Sequence, residues 1–122
     1  MNSRGKENTD VQVDEYVEAE IQRKGLTAPR ITPERIQEVI ASEAYHVFPG
    51  TQLTVCVLTL RNGFTVTGES ACASPENFNE ELGRKIARRN AEEKIWSLEG
   101  YLLKQYLYKK ERYSNLPGQA NG

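Results

Sequence analysis

The clearest pattern in the chain lies between residues 53 and 73. Two runs rich in β-branched residues, Leu53 to Leu60 and Phe64 to Ala73, flank Arg61-Asn62-Gly63. Such runs around Asn-Gly predict two antiparallel strands joined by a type I′ hairpin, whose two central residues both need positive φ. A two-residue turn at Asn62-Gly63 fixes the register: Leu60 faces Thr65, Val57 faces Gly68, Cys56 faces Glu69 and Cys72 faces Leu53. The two cysteines are then not cross-strand partners, and no disulfide is expected.

Upstream, Thr32-Pro33-Glu34 has the chemistry of a helix start: a hydroxyl cap, a proline whose missing N–H is harmless, and an acid in the first turn. Ile36, Val39 and Ile40 mark its buried stripe. Tyr45 to Phe48 reads as a short extended stretch that runs into a Pro49-Gly50 turn. Downstream, Ser74-Pro75-Glu76 repeats the helix start and opens a long helical segment. Its buried arc is Phe78, Leu82, Ile86, Ala87, Ala91, Ile95 and Leu98, at three- and four-residue steps. Gly83, Ala87 and Ala91 leave a narrow groove that a strand or another helix can approach closely. Gly100 either kinks the segment or divides it into two helices. The predicted fold is α+β, a small three-stranded antiparallel β-meander with one helix before it and one or two long helices after it. Residues 31–110 form this single domain. Residues 1–30 are a polar extension, disordered or with one short helix from Asp14 to Lys24 ended by Gly25, on a weak apolar pattern at Val13, Tyr16, Val17 and Ile21. Residues 111–122 are a polar tail.

The C-terminal helical segment carries more apolar surface than one core can use. Ile95, Trp96, Leu98, Tyr101, Leu102, Leu103, Tyr106 and Leu107 cover roughly 240° of the helix, against about 100° for a helix facing one core. Homo-oligomerisation through this segment, as a dimer or a hexamer, is the expected use of the excess. The alternative is that the N-terminal segment folds back over it.

A length of 122 residues is room for one small domain. With 16 Lys and Arg against 17 Asp and Glu, the net charge is −1, which does not suit a general binder of polyanions. The charge is uneven, however: residues 84 to 112 hold nine cations and four glutamates, a net +5. Any phosphate site is therefore local. No stretch has the roughly 20 apolar residues of a membrane span, and MNSRGKENTDVQVDEY lacks the apolar segment of a signal peptide. Two cysteines without metal-type spacing fit a reducing cytoplasm.

Candidate chemistry is sparse. The single histidine, His46, has no evident partner, and the sequence holds no nucleophile elbow, phosphate-cradling glycine loop or metal-ligand cluster. Glu80-Glu81 and Glu92-Glu93 are adjacent and point apart on a helix. Glu92 and Glu93 instead follow Arg88 and Arg89 by four residues, as surface ion pairs do. The pattern argues against catalysis and calls for no cofactor. The remaining constellation is Arg84, Arg88, Arg89 and Asn90, with Phe78, Trp96 and the tyrosines as stacking surfaces. Asn90 either ties the hairpin backbone to the helix or reads a ligand edge. The basic run is either a solvated face or a diphosphate site.

The stretch LTLRNGFTVTGESACASPENFNEELGRKIARRNAEEKIWSLEGYLL, Leu58 to Leu103, resembles the gene-product 49/66 family of small tailed-phage proteins in RNGFTVTGESAC, the Ser-Pro turn before NF, GRKIA, NA and KIW-LEGYLL. ITPERIQEVIASEAYHV resembles the first helix and strand of that family, and the resemblance covers about Ile31 to Leu107. The family in turn resembles the type-one Thoeris anti-defence proteins. That resemblance implies a non-enzymatic phage protein in the host cytoplasm. It would form homo-oligomers and sequester cyclic ADP-ribose signals, and also cyclic oligonucleotide signals of the CBASS system. The family-motif positions it puts in a ligand site are Arg61, Phe78, Arg84, Arg88, Asn90 and Trp96, and Arg89 joins them from the basic run. The doublet Arg88-Arg89 before NA departs from many relatives, and the N-terminal extension lies outside the resemblance. The rival readings are a host-takeover module that binds a host protein through the aromatic helix, a nucleic-acid-binding accessory protein, and a slow hydrolase.

Overall fold

The computed structural model describes residues 16–26 and 28–114. At its centre is strand β2 (Leu53–Leu60), in which every second residue, Thr54, Cys56, Leu58 and Leu60, is buried and the others are half-covered. Such strict alternation is the signature of a strand with one face on a core. It pairs antiparallel with β1 (Ile40–Val47) on one side and β3 (Thr65–Ala71) on the other, in the order β1-β2-β3. Helix α2 (Pro33–Glu38) precedes the sheet, capped by Thr32, whose hydroxyl accepts from the Arg35 N–H at 3.2 Å. Helix α3 (Glu80–Ser114) follows the sheet and covers its buried face. This is the expected α+β meander. Ahead of it, a helix whose described residues are 16–23, α1, ends in a Schellman turn. There the Gly25 N–H donates to Gln22 O, the Leu26 N–H donates to Ile21 O, and Gly25 holds φ 69°.

Several local expectations are corrected. The hairpin is not type I′. Gly63 alone in the turn has positive φ, 91°, and Leu60 pairs with Phe64 across a three-residue loop. The Asn62 side chain accepts the Phe64 N–H at 2.9 Å, which holds Asn62 at negative φ and yields a type I turn followed by a glycine bulge. The register therefore slips by one: Val57 faces Thr67, Cys56 faces Gly68 and Leu53 faces Ala71. Strand β1 is longer than the predicted Tyr45 to Phe48 and begins at Ile40, which belongs to the strand and not to the stripe of α2. Ala41 is accommodated by a bulge between Ile40 and Ser42. Ser74-Pro75-Glu76 opens only a 3₁₀ turn (Pro75–Asn77). The cap of α3 is Asn79, whose side chain accepts the Leu82 N–H at 2.9 Å. Gly100 does not divide α3, which is one helix of 35 residues. It takes in 111–114, which the sequence reading gave to the tail; residues 115–122 and the start of the predicted Asp14–Lys24 helix lie outside the described residues.

The core joins Ile36 and Val39, the inward residues of β2, Val66 of β3, and Ala87, Ala91 and Ile95 of α3. Its tightest point is glycine on alanine. A Cβ built on Gly68 would lie 2.2 Å from both Ala87 O and Ala91 N, so the backbone of β3 touches that of α3 with no side chain between them. The groove foreseen along Gly83, Ala87 and Ala91 is filled in this way, with Gly83 closing on Thr54, whose Oγ1 would be 3.0 Å from an added Cβ. Cys56 and Cys72 are both free thiols, and burial pushes that of Cys56 up.

Helix α3 outruns the sheet. At 1.5 Å per residue its 35 residues span roughly 50 Å, while an eight-residue strand spans about 27 Å. Its last contacts with the core are Ile95, Leu98 and the 8 %-exposed Glu99, to which Arg35 Nε donates at 3.0 Å. Beyond them Tyr101, Leu102, Tyr106 and Tyr108 are exposed.

Two glycine substitutions have opposite expected outcomes. Gly68→Ala must lift α3 off the sheet and should cost about 3 kcal/mol or more, lowering Tm by 10 °C or more in thermal melts. Gly100→Ala meets nothing within 4 Å and should gain about 1 kcal/mol from helix propensity.

Candidate functional site

A cleft of about 470 Å³ runs along the flank of α3, between that helix, α1 and the segment leading into α2. Its α3 wall is Arg89, Glu92, Glu93 and Trp96, a set of positions three and four residues apart on one side of the helix. The facing wall is Val17, Glu18 and Ile21 of α1, and Arg30, Ile31 and Pro33 close its end. Trp96 keeps 37 % of its surface exposed. Arg30 donates from both terminal nitrogens to the two carboxylate oxygens of Glu18, at 2.8 and 2.5 Å. The hydrogen-bonded guanidinium holds the Glu18 carboxyl below the usual carboxylate range, and the Glu18 carboxylate in turn holds the Arg30 fork above its ordinary value.

Of the seven residues singled out from sequence, the fold brings Arg89 and Trp96 together here and sends the others elsewhere. Arg88 points toward the β1 edge of the sheet and is consumed in a network that includes Glu92 of the cleft wall. Its Nε donates to Glu92 at 2.8 Å, one Nη donates to Gln37 Oε1 at 2.9 Å, and the other meets Glu43. Tyr45 donates to the same Glu43 carboxylate at 2.6 Å. Burial pulls the Arg88 guanidinium down, and the bonds to Glu92 and Glu43 outweigh it, so the net shift is upward. Asn90 donates from Nδ2 to Glu69 O of β3 at 2.8 Å, the structural tie between helix and hairpin that was one of its two expected roles. Arg84 pairs with Glu80 one turn earlier at 3.2 Å. Arg61 in the hairpin turn donates to Glu38 O, and its own N–H donates to Val39 O at 2.9 Å, so it pins the end of α2. Phe78 is half-buried beside Gly83, where α3 begins. His46 lies edge-on to Phe48, with ring centroids 4.5 Å apart.

The sequence reading missed Glu18, Arg30 and Ile31. The four-residue spacing of Val17 and Ile21 was a visible signal for one apolar face, yet nothing local says which part of the domain it meets.

The sequence profile of a phage protein family, described as N4 Gp49/phage Sf6 gene 66, matches residues 31–107. The chain belongs to this family. The family segment contains the sheet, α2, most of α3 and the α3 wall of the cleft, whereas α1 and Arg30 precede it. No curated protein and no solved structure matches the chain. Among the described residues of this family member, no helix is long and apolar enough to cross a membrane, and no group of three His, Cys, Asp or Glu could hold a metal ion.

The Arg88 network makes an acid-side prediction. Hydrogen bonds from Tyr45 and then Arg88 hold the Glu43 carboxyl below its ordinary value. Its stabilisation is thus present above the unfolded carboxylate range, near pH 4.3, and is lost as pH falls through the lower folded value. Thermal melts from pH 7 to pH 3 should show a smaller acid-side loss of Tm for Glu43→Gln than for the parent. Arg88→Met strands two carboxylates and should cost about 2 kcal/mol at pH 7.

Proposed function

We propose that this family member is a phage-encoded binding protein that works in the host cytoplasm. It captures small cyclic nucleotide immune signals, cyclic ADP-ribose isomers of Thoeris and cyclic di- or trinucleotides of CBASS, and does not cleave them. The observation that carries this reading is the cleft along α3. Its volume falls in the range of small-ligand sites, roughly 300 to 1,000 Å³. It sets an exposed indole, Trp96, two helical turns from a guanidinium, Arg89, on the same side of α3. A base stacks on such a ring, and a planar fork suits a phosphate. The ligand site on this reading is the Arg89 and Trp96 pair. Arg88, Asn90, Arg84 and Arg61 lie outside the cleft lining and bond within the domain around it.

Self-association through the far half of α3 belongs to the same proposal. Tyr101, Leu102, Tyr106 and Tyr108 are 51 to 66 % exposed on a helix that has already left the sheet. Residues 16–26, of which Val17, Glu18 and Ile21 line the cleft, do not remove that exposure. The same aromatic stretch favours the second reading, a module that docks on a host protein. There Lys110 and Arg112 stand over the Tyr106 and Tyr108 rings at 6.0 and 5.4 Å, a mixed cationic and aromatic surface of the kind enriched at protein interfaces.

Calorimetry against cyclic ADP-ribose isomers and cyclic di- and trinucleotides tests the reading. At least one should bind and be recovered intact after heat denaturation, and Trp96→Ala should weaken it about tenfold or more, the worth of one stacked base. Binding by none of them, or equal binding by Trp96→Ala, overturns it. In light scattering the parent should exceed the mass of one chain, and Leu102→Glu should reduce it to one. A parent of single-chain mass that still binds a host protein through Tyr106 would favour the second reading.

A further inference from the structure

The cleft lining holds three carboxylates, Glu18, Glu92 and Glu93, against two guanidiniums, Arg30 and Arg89. That is a poor wall for a phosphate unless a carboxylate can leave. Glu92 is fixed from behind, accepting from Arg88 at 2.8 Å and from Gln37 at 3.1 Å. Glu18 is fixed only as well as α1 is. The described part of that helix is two turns, joined to the domain through the Gly25 turn, and its Val17 is 47 % exposed although it lines the cleft. The family match begins after it, at residue 31, so α1 lies outside the matched segment.

The Glu18 carboxylate lies fork on fork with Arg30, both oxygens engaged, and each side chain is about a quarter exposed. This is the arrangement in which a guanidinium takes two oxygens of a phosphate. We propose that Arg30 is the anion subsite of the cleft and that Glu18 is its resident surrogate: a phosphate-bearing ligand displaces the Glu18 carboxylate and frees α1. Release leaves Arg30 and Arg89 facing Glu93 and an already neutralised Glu92, a wall that favours an anion. The proposal deepens the binding reading and rests on it for the identity of the ligand; the subsite itself answers to inorganic diphosphate.

Trp96 is the single tryptophan of the chain and lines the cleft, so its emission reports occupancy. The full-length parent, Glu18→Gln, Val17→Ser and Arg30→Gln are each titrated with inorganic diphosphate and with cyclic ADP-ribose, and tryptic cleavage after Arg23 and Lys24 is timed alongside. If the surrogate holds the subsite closed nine parts in ten, Glu18→Gln should bind diphosphate about tenfold more tightly than the parent. Val17→Ser, which loosens α1 without touching either charge, should shift affinity in the same direction. Arg30→Gln should bind at least tenfold more weakly, and saturating diphosphate should raise parental cleavage to the rate of Glu18→Gln. The proposal is overturned if Glu18→Gln binds diphosphate no more tightly than the parent, or if Arg30→Gln keeps the parental affinity. Cyclic ADP-ribose binding that is equal in all four proteins would overturn it while leaving the binding reading in place. A diphosphate response that follows the expected order without any cyclic nucleotide binding would uphold the subsite and remove the nucleotide reading.

Discussion

The fold depends on a contact between two backbones. Where Gly68 of β3 meets Ala87 and Ala91 of α3, no side chain stands between strand and helix, and an added methyl group would come within 2.2 Å of main-chain atoms. Close approach of this kind fixes the height and rotation of α3 over the sheet, because packed interiors tolerate little adjustment of volume. Everything on the flanks of α3 inherits that setting. Toward the β1 edge Arg88 is delivered to Glu43 and Gln37, and toward the β3 edge Asn90 is delivered to the Glu69 carbonyl. Away from the sheet, Arg89 and Trp96 are turned toward α1. The rotation of one helix thus decides which cations brace the domain and which face the cleft.

Much of the architecture was legible because its signals are local. The alternation of β2, the proline helix start at Thr32 and the small-residue ladder Gly83, Ala87, Ala91 all foretold what stands there. The hairpin register was misread, because the turn residues pointed one way and the alternation of the strands another. The register from a two-residue turn would have set Thr65, Thr67 and Glu69 opposite the inward residues of β2. The observed one sets Val66 and Gly68 there, and only this arrangement keeps the core face apolar. Strand β1 was harder, since it is an edge strand with most of its residues exposed and so lacks a clean period of two. At the start of α3, Asn79 competes with Ser74 as the cap, and Phe78 in extended conformation separates the two.

The candidate site was less legible, for a different reason. A guanidinium reads the same in sequence whether it awaits a ligand or is already spent inside the fold. Arg88 and Asn90 looked like binding residues because their partners, Glu43, Gln37 and the Glu69 carbonyl, are between 21 and 51 positions away. Conversely, Arg30 looked like part of a polar leader, and only the folding back of α1 gives it a place in the cleft. The pocket arises from tertiary geometry between the family domain and a segment outside it, and no motif marks such a junction.

The uneven support along α3 has a consequence for how its sequence can drift. Up to Glu99 the helix is held against the sheet by buried alanines and Ile95, where a single added carbon is felt, while past Gly100 the described positions make no contribution to the core. Substitutions before that boundary are filtered by the folding of each chain on its own, whereas those after it are filtered by whatever the exposed tyrosines meet. One continuous helix thereby has two halves in which a substitution is felt differently, the first through the fold of its own chain and the second only at the surface.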